Sequence, residues 1–219
     1  MTRFAPLPRD FYLQPTSQVA QQLLGHFLLR RVGDKLCGGV IVETEAYLVD
    51  DPSCHAYVKK SPRNASMFGE AGRAYVYQIY GAHFCFNAVC QNEGVAEAVL
   101  IRAIEPTFSV KTMQTWRNAK TVRELTNGPA KFCAALNINR VLDGTDLCDA
   151  NSPLFIAQNP DIETTLRVLE PVVTTTRIGI SKATDWPLRW YLGGSEYVSR
   201  RVKRTRSVSE GDTFNGLPR

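Results

Sequence analysis

The chain has 219 residues, of which 44% are hydrophobic and 21% charged, a balance typical of a globular protein with one sizeable core. No segment reaches the roughly 18 consecutive apolar residues of a membrane span, and the N-terminus lacks the apolar run of a signal peptide. We therefore expect an intracellular protein. The net charge of +5 fits a polyanionic partner but does not require one.

The first predicted helix begins after Thr16 or Ser17, either of which can cap its free N–H groups, and ends at Gly25. Strands are predicted next at residues 27–32 and 39–47, where polar and apolar side chains alternate in the second segment.

Two segments rich in aromatic and β-branched residues, 74–80 and 83–89, flank a glycine and predict a β-hairpin with its tip at Tyr80, Gly81 and Ala82. A bulky ring beside a turn glycine cannot easily reach the core, so Tyr80 is expected to be exposed. Such a residue can act as a wedge between base pairs. A further strand is predicted at 98–104.

A second helix is predicted from Pro129 to residue 136, because proline suits the first turn of a helix. Lys131 lies in that turn, where it either contacts a phosphate or remains solvated. Short strands follow at 174–180 and 188–192. Strands and helices alternate without a βαβ rhythm, which predicts an α+β fold in one compact domain at residues 1–206. Residues 207–219 are expected to form a flexible tail.

The six cysteines show no C-x-x-C pair and no framework of close spacings, so we expect reduced thiols, several of them buried. None of the three histidines has ligand spacing with a cysteine pair, so no metal site is expected. A basic run near the C-terminus forms either a solvated face or a DNA contact: Arg200, Arg201, Lys203, Arg204 and Arg206.

Glu43 and Glu45 lie two positions apart on a predicted strand, so both face the same side of the sheet. A carboxylate on an otherwise apolar strand needs partners, because burying an isolated charge is costly. Either it serves as a general base or it belongs to a structural ion pair. Under both interpretations Arg102, on the strand at 98–104, is the natural partner of Glu45.

A set of aromatic residues surrounds these strands. An unstacked base needs flat π faces and a few hydrogen-bonding edges, although aromatic residues in strands are also common in cores. Both interpretations remain open for its members, which are Tyr47, His55, Tyr75, Tyr77 and Tyr80.

Seven short segments resemble, in order, the signature of the alkyladenine (3-methyladenine) DNA glycosylases. They are IVETEAYL at 41–48, SPRN at 61–64, YVYQIYG at 75–81, FCFN at 84–87, VLIRAIEP at 99–106, GPAK at 128–131 and RIGI at 177–180. One segment alone would be weak evidence, but seven in the same order are highly specific. The resemblance implies a curved, largely antiparallel sheet with flanking helices and a hairpin that enters the minor groove of DNA.

The resemblance also implies roles. Glu45 matches the general base that activates a water, while Arg102 and the backbone carbonyl of Ile178 match the groups that hold this water. The base-binding positions are Tyr47 and His55 on one face of the flipped base, Tyr77 on the other, and Asn87 against its minor-groove edge. Tyr80 matches the wedge. Positions that resemble DNA-backbone contacts are Arg63, Lys131 and Arg140.

The implied reaction is hydrolysis of the N-glycosidic bond of an alkylated or deaminated purine, without lyase activity, cofactor or metal. The implied partner is double-stranded DNA with a damaged purine, and a monomer suffices at a single lesion. The implied localisation is the cytoplasm and nucleoid in a bacterium or the nucleus in a eukaryote. After the wedge, Ala82 and His83 replace the bulkier methionine and tyrosine of vertebrate members, so lesion preference is expected to differ.

Two other functions are alternatives to a glycosylase. A non-catalytic nucleic-acid-binding module fits the positive charge and the aromatic set, with the acids structural. An acyl-transfer enzyme would need a G-x-S-x-G motif or an equivalent nucleophile, and the nearest approach is Cys54 beside His55. Sequence neighbours on a strand point to opposite sides, which disfavours that pair.

Overall fold

Within residues 4–202, which the computed structural model describes, eight strands form one sheet whose neighbours are all antiparallel. The strands are β1 (Phe27–Val32), β2 (Lys35–Tyr47), β3 (Ala74–Gln78), β4 (Phe84–Cys90), β5 (Glu97–Phe108), β6 (Leu154–Ala157), β7 (Val172–Thr175) and β8 (Arg189–Leu192). The helices are α1 (Arg9–Tyr12), α2 (Thr16–Gln22), α3 (Val110–Trp116), α4 (Val122–Thr126), α5 (Pro129–Ala135) and α6 (Ile162–Val168), with 3₁₀ turns at Ala65–Phe68 and Arg140–Leu142.

The long strand β2 organises the sheet, whose order is β3-β4-β5-β2-β1-β6. Along one edge of β2, its first half pairs with β1 and its second half pairs with β8, which in turn pairs with β7. The sheet therefore divides beside β2 and curls. This arrangement confirms the predicted α+β fold with a curved antiparallel sheet.

The main core lies on one face of the sheet, against helices α2 and α5. Val19 and Ala20 of α2 and Phe132 of α5 are fully buried there, and α2 packs on β2 and β5 while α5 packs on β4 and β5. The opposite face carries a smaller cluster that includes Tyr75 and Met67. Successive side chains of a strand point to opposite faces, so residues of the main core alternate with residues of the second face along each strand.

One row of paired residues crosses the sheet on this second face. Asn87 of β4 pairs with Leu100 of β5, and Leu100 pairs with Glu45 of β2. At the two ends, Tyr75 of β3 pairs with Asn87, and Arg189 of β8 pairs with Glu45. Directly opposite residues in antiparallel strands share a face, so the register brings side chains from five strands into one line.

Arg102 lies at an irregularity in the pairing of β2 with β5. Glu43 pairs with Ala103 and Thr44 pairs with Ile101, so the register passes over Arg102. A bulge of this kind increases local twist and redirects a side chain. Here it brings the guanidinium of Arg102 to Glu43 and Glu45 together.

Several predicted elements have different ends in the structure. Helix α2 includes Thr16, so the prediction that Thr16 or Ser17 caps it was wrong: the N-cap residue is Pro15, which has no side-chain acceptor. The Thr16 hydroxyl donates to Glu97 Oε2 at 2.5 Å. The strand predicted at 174–180 is β7 at 172–175, because Arg177 and Ile178 leave the sheet to contact other parts of the site. The predicted tail at 207–219 and the domain end at residue 206 lie outside the described residues.

All six cysteine thiols are free, as predicted, and five of them are buried. Four short helices and β6 were not predicted. Helices α1, α3, α4 and α6 each span only four to seven residues, too few for a periodic apolar pattern to stand out.

Candidate active site and nucleic-acid interface

Glu45 is fully buried on β2, and each of its carboxylate oxygens has a hydrogen-bond donor. The backbone N–H of Ile178 donates to Oε1 at 2.7 Å, and the Tyr47 hydroxyl donates to Oε2 at 2.9 Å. Arg102 Nη1 lies 3.1 Å from Oε2. Burial raises the pKa of Glu45 above its ordinary value, while Arg102, the Ile178 N–H and Tyr47 act in the opposite direction.

Glu43 is equally buried but is occupied differently. It accepts hydrogen bonds from Arg102 Nε at 3.0 Å and Arg189 Nη1 at 2.7 Å, and both the N–H and the hydroxyl of Ser199 donate to it at 2.7 and 2.9 Å. A carboxylate held by two arginines is an ion-pair anchor. The two glutamates that spacing alone left equivalent are therefore distinguished by their partners.

Beside Glu45 lies a pocket of about 370 Å³, a size suited to a small ligand. It is lined by the four predicted base-binding residues and by Tyr75, together with segments of two loops. The full lining is Tyr47, Pro52, Ser53, Cys54, His55, Met67, Tyr75, Tyr77, Asn87, Gly179, Ile180, Ser181 and Lys182. Glu45 reaches this wall through its bonds to Tyr47 and to Ile178, the residue before Gly179.

Aromatic rings form a continuous part of the wall. Tyr75 and Tyr77 stack with centroids 5.3 Å apart, and the His55 ring stands edge-on to Tyr77 at 4.5 Å. The resemblance places His55 and Tyr77 on opposite faces of a base. In the structure these two rings, one from a loop and one from β3, are in direct contact.

The polar edges of the pocket are fixed. Asn87 Nδ2 donates to the Tyr75 carbonyl at 3.0 Å, which sets the direction of the amide, and Tyr75 Oη lies 3.0 Å from His55 Nδ1. Desolvation and the nearby Arg63 lower the pKa of His55, so the ring is neutral at neutral pH. Burial raises the pKa of Tyr47 far above its ordinary value, so its hydroxyl remains a donor.

Arg177 joins the two loops of the wall, a role that the sequence did not reveal. It pairs with the buried Asp51, donates to the Ala46 carbonyl at 3.1 Å and lies 4.7 Å from the centroid of the Tyr47 ring. Arg189 and Ser199 were also missed. The motif RIGI contained Arg177 without indicating its partner, and nothing near Arg189 or Ser199 marked them.

The hairpin between β3 and β4 has its tip where the sequence predicted it. The chain turns at residues 79–83, with Gly81 at a φ of +54°, and the Ile79 N–H donates to the His83 carbonyl at 2.9 Å. Tyr80 is 70% exposed, and its ring meets that of His83 edge-on at 5.2 Å. An exposed aromatic at the tip of a hairpin has the form of a wedge.

The three cations expected at the DNA backbone each have a partner within the chain. Arg63 Nη2 donates to the Gln78 carbonyl at 3.2 Å, and Arg140 Nη1 donates to the Val76 carbonyl at 2.7 Å, so both arginines brace β3. Lys131 Nζ donates to Asn127 Oδ1 at 2.7 Å. Of the basic run, Arg200 and Arg201 are exposed, while Lys203, Arg204 and Arg206 lie outside the described residues.

Within residues 4–202, no helix is long and apolar enough to cross a membrane. No group of three or more His, Cys, Asp or Glu side chains there is arranged to hold a metal ion.

Comparison with known proteins assigns the family. Residues 10–196 match the sequence profile of methylpurine-DNA glycosylase. The chain belongs to the methylpurine-DNA glycosylase family. This result confirms the resemblance carried by the seven motifs, and it makes the chain an enzyme of DNA repair that acts on DNA.

Curated relatives cover nearly the whole of this glycosylase. A protein of Methanoculleus marisnigri is 47% identical over 198 residues, and one of Carboxydothermus hydrogenoformans is 46% identical over 195 residues; each match covers 89% of this chain and 99% of the relative. A Francisella tularensis protein is 44% identical over 186 residues, or 85% of this chain and 94% of the relative. All three are assigned the name 3-methyladenine DNA glycosylase.

Proposed function

We propose that this glycosylase is monofunctional and removes alkylated or deaminated purines from duplex DNA by using a water activated by Glu45. Its substrates are 3-methyladenine, which the names of the relatives also state, together with 7-methylguanine, hypoxanthine and ethenoadenine. The observation that carries the proposal is the environment of Glu45. It is a buried carboxylate whose three partners are all donors, and it is bonded to the wall of an aromatic pocket.

The proposed reaction is a hydrolysis. Glu45 takes a proton from a water whose oxygen forms a bond to the anomeric carbon, while the bond from that carbon to the purine nitrogen breaks and the base departs. An abasic site remains. Arg102 and the carbonyl of Ile178 hold the water. The Ile178 N–H is bonded to Glu45 Oε1, so the residue that carries this carbonyl lies beside the carboxylate, which supports this role.

The pocket favours electron-poor purines. Alkylation gives 3-methyladenine and 7-methylguanine a positive charge, and aromatic faces attract cations. Because His55 touches Tyr77 edge-on, we place the flipped base between Tyr47 and Tyr77, with His55 at its edge. The amide of Asn87 then faces the minor-groove edge and disfavours the 2-amino group of undamaged guanine.

The shape of the hairpin supports a role in DNA binding. Tyr80 enters the minor groove and fills the space that the flipped nucleotide leaves, while Arg63, Lys131 and Arg140 contact the backbone with their remaining N–H groups. One pocket and one wedge in one chain need no second copy, so we propose a monomer. The enzyme works where the genome is, in the nucleoid of a bacterium or the nucleus of a eukaryote.

The test is single-turnover excision on a duplex oligonucleotide with one hypoxanthine, followed by alkali, which cuts DNA at abasic sites. With wild type, alkali is expected to cut the duplex at the lesion. Glu45→Gln is expected to bind the same duplex but to leave no abasic site for alkali to cut. Glu105→Gln is the matched control, because Glu105 is a carboxylate of the neighbouring strand that is held by Ser195 instead. Excision by Glu45→Gln at the wild-type rate would remove Glu45 from the mechanism.

A further inference from the structure

The described chain ends in a segment, Val198–Val202, that runs against the buried charges behind the active site. We infer that Ser199 of this segment is a positioning residue for base excision: acting through Glu43, it holds the guanidinium of Arg102 against Glu45. This inference rests on the proposed function, because it assigns Arg102 and Glu45 the roles given above.

Ser199 contacts both oxygens of Glu43 and also the arginine. Its backbone N–H donates to Oε2 at 2.7 Å, and its hydroxyl donates to Oε1 at 2.9 Å. The same hydroxyl accepts a hydrogen bond from Arg102 Nη2 at 3.4 Å. The side chain of Ser199 therefore fixes the carboxylate and one edge of the guanidinium at once.

Arg102 connects this anchor to the reacting carboxylate. Its Nε donates to Glu43 at 3.0 Å, while its Nη1 lies 3.1 Å from Glu45 Oε2. A guanidinium is a rigid planar fork, so the direction of one edge sets the direction of the other. Any rotation of Glu43, or loss of its hydrogen bond to the Ser199 hydroxyl, is transmitted to the Nη1 group of Arg102 that faces Glu45.

The rest of the segment is fastened to the same charges. Arg189 Nη1 donates both to Glu43 at 2.7 Å and to the Arg200 carbonyl at 2.9 Å, and the Val202 N–H donates to Tyr191 Oη at 3.3 Å. The Val198 side chain is buried. Ser199 is therefore held in place from both sides, as a residue that positions another must be.

The effect on Glu45 has a defined sign. The groups that act on it are Glu43, Tyr47 and Ile178 N–H, with Arg102 from β5, Arg177 from the loop after β7 and Cys85 from β4. Ser199→Ala changes none of these charges, but it loosens Arg102. A loosened cation stabilises the carboxylate less, so the pH at which the rate falls on the acid side moves upward.

The experiment compares Ser199→Ala with Ser195→Ala. Ser195 is a matched control, because its hydroxyl also donates to a glutamate, Glu105, at 2.8 Å and accepts one backbone N–H, that of Tyr197. Single-turnover excision of hypoxanthine is measured across pH, together with affinity for the lesion duplex and the midpoint of thermal unfolding.

Ser199→Ala is expected to slow excision roughly tenfold, the factor for one lost hydrogen bond to a charged group, with unchanged affinity and an acid limb at higher pH. Ser195→Ala is expected to lower the unfolding midpoint similarly but to keep the wild-type rate and pH profile. Equal rates and profiles for the two variants would overturn the inference, as would a loss confined to affinity. If Glu45→Gln excises normally, the proposed role of Glu45 fails as well; if it is inactive while the two serine variants match, only the role of Ser199 fails.

Discussion

The Tyr47 hydroxyl lies 2.9 Å from Glu45 Oε2, although Tyr47 is also a wall of the pocket. The two residues are neighbours on one face of β2. The ring of Tyr47 lines the pocket, while its hydroxyl donates to the buried carboxylate of Glu45. Arg177, 4.7 Å from the centroid of this ring, keeps it in place. In the proposed mechanism, Tyr47 therefore joins recognition of the base to ionisation of the carboxylate.

Removing the Tyr47 hydroxyl is expected to separate the two roles. Tyr47→Phe keeps the ring but removes a donor to ionised Glu45, so the pKa of Glu45 rises further. Since Glu45 must be ionised to act as the general base, the acid limb of the rate profile shifts to higher pH, and the rate at neutral pH falls roughly tenfold. Single-turnover excision between pH 5 and pH 8 measures both effects.

Tyr12→Phe is the control for this substitution, because Tyr12 Oη is buried without a hydrogen-bond partner among the described residues. It is expected to leave the pH profile unchanged. An unshifted profile in Tyr47→Phe would show that the hydroxyl does not stabilise the reacting form of Glu45.

The wedge is tested at Tyr80. Aromatic contact with a base is worth about 1–3 kcal/mol, so Tyr80→Ala is expected to weaken binding to a lesion duplex roughly tenfold to a hundredfold. Binding to the same strand without its complement should change little, because there is no stack to fill. Titration of labelled oligonucleotides gives both constants. Val168→Ala, at a side chain 72% exposed on α6, serves as the control, and equal losses on duplex and single strand would contradict the wedge.

Stability at acid pH is expected to depend on His26, a residue that does not line the pocket. Its Nδ1 accepts the Asn159 N–H at 3.2 Å, and burial lowers the pKa of His26 from 6.5 to about 4. Between these values the unfolded chain binds a proton that the folded chain does not, so the free energy of unfolding falls as the pH drops through this window. The loss approaches roughly 3 kcal/mol at the acid end.

His26→Gln does not titrate and is expected to lose less stability between pH 6.5 and pH 4. Urea unfolding at several pH values gives the difference, with His83→Gln as the exposed control. Parallel stability curves for wild type and His26→Gln would show that another group causes the loss.

Local pattern predicted much of the sheet but not its junctions. Strand β1 begins and ends at the predicted residues, and the hairpin tip follows from Gly81. The strand assigned to 174–180 ended early because Arg177 turns towards Asp51 and Ile178 towards Glu45. Such tertiary contacts override the preference of β-branched residues for extended structure.

The site divides in the same way. Residues on β2 and β5 could be paired by period and charge, which led to Glu45 and Arg102. The choice between Glu43 and Glu45 could not be made from spacing, because it depends on Arg189 and Ser199, which lie 146 and 156 positions from Glu43 in the chain. No local signal marks partners at such separations.

The row of paired residues that joins Asn87 to Glu45 fixes their separation by hydrogen-bonded register. A residue inserted into β2 or β5 beside this row would turn part of it to the opposite face, so these strands tolerate substitution but not a change of length. The remaining walls come from loops around His55 and Gly179, which carry no such restriction. During divergence, these loops can therefore vary in length and sequence and reshape the pocket while the carboxylate of Glu45 keeps its position.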